Sequence, residues 1–439
     1  MTAAAPHVGK DKLARIVATS VAASSIEWYD FFIYGTAAAL VFPRLFFPAD
    51  MPPAVAQIAA FSTFAVGFIA RPIGGMVFGH FGDRVGRKKA LVAALMLMGA
   101  ATTLIGCLPS YQLIGVGAPL LLILLRFAQG LAVGGQWGGA ALLATESAPP
   151  GQKGFYGSFP QLGVPAGVVL ANLVFLLMTA NLAPEAFEAW GWRVPFILSV
   201  VLVGLGLYVQ IKLEDSPEFQ ALEEAKEIQA EGARRSPILE AIIKHPKEIL
   251  LAGGSFVASN GCFYLVITFL VSYCTTTLGM DRPKVLWALL LGSLLAAPSL
   301  PISGALSDRI GRRAVYMIGA VLGGVWAFAF WRLVDTQDFW AMVAAITLAS
   351  VWLNFMYGPQ SALFAELFSV EVRYSGASLG YQLGAILGGG FAPIIATALL
   401  ASNGGDSSII AVYMAAMCAV SFVSILLLAE TNKREHRTG

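Results

Sequence analysis

Residues 79–89 read Gly79-His-Phe-Gly-Asp-Arg-Val-Gly-Arg-Lys-Lys89, and residues 304–313 repeat the pattern as Gly304-Ala-Leu-Ser-Asp-Arg-Ile-Gly-Arg-Arg313. In both copies a strongly apolar stretch runs into the motif and another follows it. A basic, glycine-punctuated hairpin between two membrane spans is therefore written twice in one chain. An internal repeat of this kind predicts a duplicated membrane protein.

The composition agrees with a membrane protein. Of 439 residues, 57% are hydrophobic and only 12% are charged, whereas soluble domains carry about 25% charged residues. A bilayer core requires about 20 apolar residues per helix. We therefore expect an all-α membrane protein with twelve transmembrane helices, at residues 17–42, 54–80, 90–108, 116–145, 155–181, 191–212, 246–277, 285–303, 314–333, 338–362, 375–400 and 409–429.

One long polar stretch divides these spans six and six. We expect an N-terminal six-helix bundle at 1–212, a cytoplasmic linker at 213–245 and a C-terminal six-helix bundle at 246–439. The repeat extends beyond the hairpins, since Gln161 in the fifth span corresponds to Gln382 in the eleventh. Two pseudo-symmetric bundles of this kind enclose a cavity where they meet.

The distribution of basic residues indicates the orientation of the chain in the membrane. They are concentrated at the N-terminus, in both hairpins, in the linker and in the tail, which all fall on one face of the predicted bundle. The positive-inside rule places that face in the cytoplasm. We expect a multi-pass protein of the cell (inner) membrane with both termini cytoplasmic.

Two acids and one arginine interrupt the apolar spans. Glu27 and Asp30 lie three residues apart in the first span, on one helix face. Counting 1.5 Å per residue from opposite sides of the membrane brings them and Arg126 of the fourth span to a similar depth. A charge there costs at least about 2.5–3.5 kcal/mol, so each is a candidate functional residue.

These three charges suit proton and anion chemistry. A carboxyl group in a low-dielectric site can gain or lose a proton near physiological pH. Arginine stays charged and holds a carboxylate through a two-pronged contact. We assign Asp30, with Glu27 in support, to proton coupling and Arg126 to an anionic substrate. The alternative is a structural ion pair between the first and fourth spans.

Arg71, nearer the cytoplasmic end of the second span, serves either the substrate path, a snorkelling contact or helix packing.

Polar and aromatic side chains recur near the middle of the first, fourth and fifth spans of each half. A set offering amide, hydroxyl and ring contacts suits a small oxygen-rich or aromatic acid, although each member alone is more often a helix-packing contact. As candidate substrate-binding residues we select Tyr29, Tyr34, Trp137, Gln161, Asn260, Tyr264, Asn354, Tyr381 and Gln382.

These features resemble the major facilitator superfamily, and specifically its metabolite–proton symporter branch. The resemblance covers roughly residues 15–430 and rests on Glu27-Trp-Tyr-Asp-Phe31, on the glycine-rich segments Gly67–Gly75 and Arg126–Gly135, and on the hairpin 79–89. It implies two six-helix bundles that alternate access to a central site, and proton-coupled uptake of a small organic acid or related metabolite.

The resemblance also implies a role for the hairpins. In the superfamily they latch the cytoplasmic ends of the two halves when the cavity opens outward, through switchable charge contacts with neighbouring helix ends. Carried over to this sequence, the gate residues are Gly79, Asp83, Arg84, Arg87, Glu146, Asp308, Arg309, Arg312 and Glu366.

The chain departs from the branch at two places. It has Gln136 where the family usually has Glu, so no carboxylate role is assigned there. Only nine residues follow Glu430, in place of the long coiled coil of osmosensing proline/betaine members. We therefore expect organic acids, of shikimate-like, aromatic or di- and tricarboxylate type, rather than compatible solutes.

Other functions fit the sequence less well. It contains neither a Gly-x-x-x-x-Gly-Lys-Ser/Thr phosphate loop nor His-Glu-x-x-His, which argues against an enzyme or a transport ATPase. The remaining alternatives are a proton-coupled antiporter or exporter, a proton-independent facilitator, and a transporter-like membrane sensor. We expect no cofactor or metal beyond the proton as coupling ion. The lipid bilayer is the expected surrounding, nucleic acid is not an expected partner, and the functional unit is expected to be a monomer.

Overall fold

The computed structural model of the protein describes residues 10–85, 87–136, 145, 148–149, 151–214, 242–368 and 373–430. The described residues form helices and turns, without a strand among them. Three of the expected site residues, Asp83, Arg84 and Arg87, and also Glu27, have only their backbone in this set. Trp137 and Glu146 lie outside it.

Twelve long helical segments follow one another along the described chain. Several contain a short 3-10 or π turn, which leaves the segment continuous. We number them α1 (Lys10–Leu40), α2 (Pro53–Val85), α3 (Arg87–Cys107), α4 (Gly117–Gln136), α5 (Lys153–Asn181), α6 (Val194–Glu214), α7 (Pro246–Thr277), α8 (Arg282–Ile310), α9 (Arg312–Asp335), α10 (Phe339–Leu367), α11 (Gly376–Ser402) and α12 (Ser408–Leu427).

The predicted fold class is confirmed. Within the described residues, nine helices are long and apolar enough to cross a membrane, and two more, Val92–Cys107 and Gly191–Val201, are apolar but shorter. With α1, these account for the twelve predicted spans. The all-helical membrane architecture was therefore readable from hydropathy alone.

The repeated motif differs from its prediction in one respect. Helix α8 continues to Ile310 and α9 begins at Arg312, so the turn is the single residue Gly311. Its φ of 103° lies in a region that glycine adopts without strain. Arg and Lys are good helix formers, so the basic motif extends the helices, and only the left-handed glycine separates them.

The helices pack mainly within two groups. In the first six, α2 packs on α4, α1 on α5, and α3 on both α4 and α6; in the last six, α9 packs on α10 and α12, and α7 on α11 and α12. Between the groups, α5 lies against α8 and α2 against α11. The domain limits themselves stay a prediction, because residues 215–241 lie outside the described part of the chain.

Glycines bring the backbones of α2 and α4 into contact. A Cβ atom at Gly74 would collide with the carbonyl of Leu131, and one at Gly134 would collide with the carbonyl of Arg71. This close approach fixes α2 against α4, the helices that carry Arg71 and Arg126.

We expect Gly74→Ala to destabilise the protein by about 1–3 kcal/mol, because the added methyl group meets backbone atoms rather than a movable side chain. The measurement is the melting temperature of the detergent-solubilised protein. Gly204→Ala is the matched control, since a Cβ there meets nothing within 4 Å. Equal melting of the two variants would contradict this account of the α2–α4 contact.

Candidate functional site

Asp30 lies at the centre of the first group of helices. It is 0% exposed, and it is the only acid among the buried residues of the described chain. Its Oδ2 atom lies 3.5 Å from the hydroxyl of Thr102 on α3, and its Oδ1 atom has no hydrogen-bond partner. The same hydroxyl lies 2.7 Å from the carbonyl of Met98. With one proton, Thr102 donates either to Met98 or to Asp30.

An amide connects Asp30 to Arg126. The Nη1 atom of Arg126 donates to the Oε1 atom of Gln129 at 2.7 Å. The Nε2 atom of Gln129 in turn donates to the Thr102 hydroxyl at 2.6 Å. Asp30 and Arg126 therefore meet through an amide and a hydroxyl and form no direct ion pair. The side chain of Glu27, the other acid considered for that pair, lies outside the described residues.

Aromatic rings surround the rest of the Arg126 guanidinium, which is 0% exposed. Its Cζ atom lies 4.3 Å from the ring centroid of Phe31, 4.2 Å from that of Tyr34 and 4.8 Å from that of Phe64. Cation–π contacts of this kind are stronger in a desolvated site. Its Nε and Nη2 atoms have no hydrogen-bond partner. A Cβ atom at Gly67 would lie 2.5 Å from Nε, so this glycine leaves the room that the guanidinium occupies.

Arg71 lies beside the same rings. Its side chain is 1% exposed, with Cζ 4.4 Å from the centroid of Phe31 and 4.5 Å from that of Phe68. The snorkelling interpretation is therefore wrong for this residue. The sequence alone did not distinguish snorkelling, packing and a substrate role. It did contain a signal for function, because an arginine inside an apolar span is costly and is therefore a candidate functional residue.

Five of the predicted polar residues have side-chain oxygen atoms in the buried interior, one of them hydrogen-bonded and four without a partner. The hydroxyl of Tyr34 donates to Thr63 at 2.7 Å. The other four are at most 7% exposed, and each has a side-chain oxygen without a hydrogen-bond partner; they are Gln161, Asn260, Tyr264 and Gln382.

Gly389 of α11 shows where the two halves meet beside this site. A Cβ atom added there would lie 2.8 Å from the rings of both Phe68 on α2 and Tyr264 on α7, and would collide with Asn260. The interior therefore combines cationic groups from the first half with polar oxygens from the second.

Other predicted binding residues serve helix packing. The hydroxyl of Tyr29 donates to the carbonyl of Pro195 at 2.9 Å. The amide of Asn354 donates to the carbonyl of Ala296 at 3.2 Å and to the Ser299 hydroxyl at 2.9 Å, which joins α10 to α8. Tyr381 stacks on Phe256 with ring centroids 4.4 Å apart. Trp137 and the Glu27 side chain lie outside the described residues.

The second copy of the motif joins the two halves at one end of the bundle, which we call the hairpin face. The carboxylate of Asp308 accepts hydrogen bonds from the backbone N–H groups of Gly154 and Phe155, both at 2.9 Å. A Cβ atom at Gly154 would lie 2.5 Å from the carbonyl oxygen of Gly304. The start of α5 therefore lies directly against α8.

Arg312 organises the same contact. Its Nη1 atom lies 2.6 Å from Oδ1 of Asp308, and its Nη2 atom lies 3.1 Å from Oε1 of Glu366. Arg309, in contrast, is exposed. In the first copy of the motif, Gly79 lies within α2; the Asp83, Arg84 and Arg87 side chains and Glu146 lie outside the described residues.

Glu188 joins the halves at the opposite face of the bundle. Its Oε1 atom lies 2.9 Å from Nη1 of Arg44 and 2.8 Å from Nη2 of Arg282. Sequence reasoning missed this contact. Nothing in the local sequence relates Glu188 to either of them. Inter-half contacts thus exist on both sides of the buried charges.

We expect Asp308→Ala to open the hairpin face, because it removes the acceptor of two backbone N–H groups. Hydrogen bonds to charged groups contribute about 1.5–3 kcal/mol each, so losing one raises exposure of the interior about tenfold or more. The measurement is the rate of maleimide labelling at Ser361→Cys, in a variant without the native cysteines. Arg309→Ala is the control from the same motif; equal rates in both variants would contradict the latch.

Glu188→Gln is expected to loosen the opposite face, since it leaves Arg44 and Arg282 without their shared carboxylate. Spin labels at the exposed positions Asn181 and Asp338 report the separation of the halves there. The distance distribution is expected to gain a longer component in Glu188→Gln, but not in Glu185→Gln, which changes an exposed acid nearby. Identical distributions in all three proteins would show that this contact does not hold the halves together.

Comparison with known proteins agrees with this architecture. Residues 16–438 match the family described as sugar (and other) transporter. The shikimate transporter of Escherichia coli (strain K12) is 42% identical over 94% of this chain and 94% of its own. The inner membrane metabolite transport protein YhjE of Escherichia coli (strain K12) is 44% identical over 95% of this chain and 94% of its own.

Solved structures show the same fold at lower identity. A crystal structure of a D-xylose-proton symporter superposes with a TM-score of 0.73 at 18% identity, covering 95% of this chain and 98% of that one. Together with the family match along nearly the whole chain, this fold identifies the family of the protein. The chain belongs to the sugar (and other) transporter family of the major facilitator superfamily, and it is a membrane transporter rather than an enzyme.

Proposed function

We propose that this protein takes up a small organic acid together with a proton by alternating access. The observation that carries the proposal is the buried series Asp30–Thr102–Gln129–Arg126, in which one acid and one guanidinium are linked through a hydroxyl and an amide without forming an ion pair. The acid provides a place for the proton, and the guanidinium provides a place for the anion.

Arg126 is the anion-binding group in this proposal. Gln129 occupies only its Nη1 atom, while Nε and Nη2 have no partner. These two donors lie side by side on the guanidinium, in the arrangement that binds both oxygens of a carboxylate. The surrounding rings exclude water, which strengthens the attraction for an anion.

Asp30 couples the proton to that anion. When Asp30 is ionised, its negative charge and the dipole of the Gln129 amide offset part of the charge on Arg126. Protonation of Asp30 removes the contribution of its negative charge, so the anion binds more tightly to Arg126 in the protonated protein. Because binding linkage is reciprocal, the bound anion also favours protonation of Asp30. A proton and an anion are then carried together.

The inter-half contacts supply the alternation. In this proposal the hairpin face opens to the cytoplasm and the face of Glu188 opens outward, as the distribution of basic residues indicates. The latch at Asp308 and the contact at Glu188 break in turn while the central site stays in place. We further propose an inner-membrane location and a monomeric functional unit.

For the substrate we propose a hydroxylated organic acid of the shikimate type. Support comes from the similarity, over nearly all of both chains, to a protein named as a shikimate transporter. The interior also suits such a molecule, because it combines a guanidinium with polar oxygens on Asn260, Tyr264 and Gln382.

Asp30→Asn is expected to abolish accumulation of radiolabelled shikimate driven by an imposed pH gradient, while leaving counterflow exchange measurable. Asparagine keeps the size and polarity of the side chain but cannot carry the proton. Asp281→Asn, at an exposed acid, is the control. Undiminished accumulation by Asp30→Asn would refute the coupling role. Wild-type uptake that ignores the pH gradient would favour a facilitator.

A further inference from the structure

Arg71 is a second buried guanidinium for which the proposed coupling has no use. Its Nε and Nη2 atoms have no hydrogen-bond partner, and the side chain is 1% exposed. A structural arginine in a membrane helix normally reaches a carboxylate, a backbone carbonyl or the lipid headgroups. Among the side chains that the structure describes, which do not include that of Glu27, no carboxylate lies within 4.0 Å of Arg71.

The two arginines share one aromatic ring. The Cζ atom of Arg71 lies 4.4 Å from the centroid of Phe31, and that of Arg126 lies 4.3 Å from the same centroid. The two guanidinium carbons are therefore at most about 9 Å apart. Two like charges held this close in a desolvated interior repel each other, and a negative group between them relieves that repulsion.

We propose that Arg71 and Arg126 together clamp a single carboxylate of the substrate. This inference rests on the proposed function and deepens it. A carboxylate that accepts two hydrogen bonds from a guanidinium places the two carbon atoms about 4 Å apart. Because the third substituent of that carboxylate is the substrate body, the two guanidiniums approach its oxygens at an angle rather than from opposite sides. Their carbon atoms then lie less than about 8 Å apart, which falls within the limit of about 9 Å set by Phe31.

The free donors on the two side chains match this arrangement. Each guanidinium has Nε and Nη2 without a partner, so each presents one two-donor edge. Phe31 lies against both groups and Phe68 lies against Arg71. These rings limit where the guanidiniums move, which lowers the entropy lost when the anion binds.

The other end of the substrate faces the second half of the protein. The ring of Tyr264 lies 5.2 Å from that of Phe68 and 5.5 Å from that of Phe64, and its hydroxyl has no partner. Asn260, one turn earlier on α7, also has a free oxygen. The clamp therefore selects a compact monocarboxylic acid whose body carries hydroxyl groups or a ring.

Equilibrium binding tests the clamp without any pH gradient. Calorimetry on the purified protein compares shikimate with its uncharged methyl ester, for wild type, Arg71→Gln, Arg71→Lys and Arg332→Gln. Arg332 is an exposed arginine on α9 and serves as the matched control. We expect Arg71→Gln to weaken shikimate binding about 10- to 100-fold, as the loss of charge-assisted hydrogen bonds predicts. Wild type is expected to bind the ester weakly, with no further loss in Arg71→Gln.

The lysine variant guards against a folding defect. Arg71→Lys keeps the charge but loses the two-pronged contact, so we expect shikimate affinity between those of wild type and Arg71→Gln. Wild-type affinity for shikimate in Arg71→Gln would overturn the clamp, as would equal wild-type binding of acid and ester. If shikimate does not bind, 4-hydroxybenzoate and its methyl ester replace it; failure of both acids to bind also overturns the clamp.

Failure of the proposed function has a different signature. Uptake that does not respond to a pH gradient removes the coupling role of Asp30, yet leaves the effect of Arg71→Gln on binding measurable. Conversely, proton-driven uptake that persists unchanged in Arg71→Gln rejects the clamp and leaves the coupling intact.

Discussion

A desolvated positive charge with no ion-pair partner among the described side chains is the constraint on which the rest of this structure depends. Arg126 has lost its water, and it receives in exchange one amide oxygen and three aromatic faces. A buried charge is tolerated only when its surroundings compensate for the lost hydration. Here the compensation is incomplete by two hydrogen bonds, and these two free donors are the reason for proposing an anion at this group.

The packing of the first half follows from that requirement. Gly67 leaves the space for the guanidinium, and Gly74 and Gly134 allow α2 and α4 to touch along their backbones. Side chains of ordinary size at these positions would separate the helices and move Arg71 and Arg126 away from the ring of Phe31. The glycine-rich segments are therefore part of the site's geometry as well as of its packing.

The sequence predicted the parts of this arrangement that depend on hydropathy and depth. Twelve spans, the repeated motif and the common depth of Asp30 and Arg126 all follow from counting residues along helices. It did not predict that Gln129 stands between the acid and the arginine, because a glutamine in a span looks like any other packing residue. Nor did it find Glu188, whose partners Arg44 and Arg282 approach it only through tertiary folding.

Residues with alternative uses were the hardest to assign. Tyr29 and Asn354 are candidate substrate-binding residues because they place polar groups near the middle of their spans. Their partners in the structure are a backbone carbonyl of α6 and atoms of α8. Gln161 and Gln382, at equivalent positions of the two halves, retain free oxygens instead. Hydropathy does not separate these cases, since both kinds of residue occupy the same depth; only the neighbouring helix decides.

The two inter-half contacts are unequal, and this inequality bears on the direction in which the empty protein opens. On the hairpin face, the Asp308 side chain is 6% exposed and accepts hydrogen bonds from two backbone N–H groups while it is paired with Arg312. Charge-assisted bonds in such a setting contribute about 1.5–3 kcal/mol each. On the opposite face, the ion pair between the halves joins Arg282 to Glu188, whose side chains are 19% and 29% exposed, and ion pairs that water reaches contribute about 0–1 kcal/mol. The face of Glu188 therefore opens at lower cost, so the unloaded site is more accessible from that side. If that side is the exterior, as the basic residues indicate, the empty protein is poised for uptake.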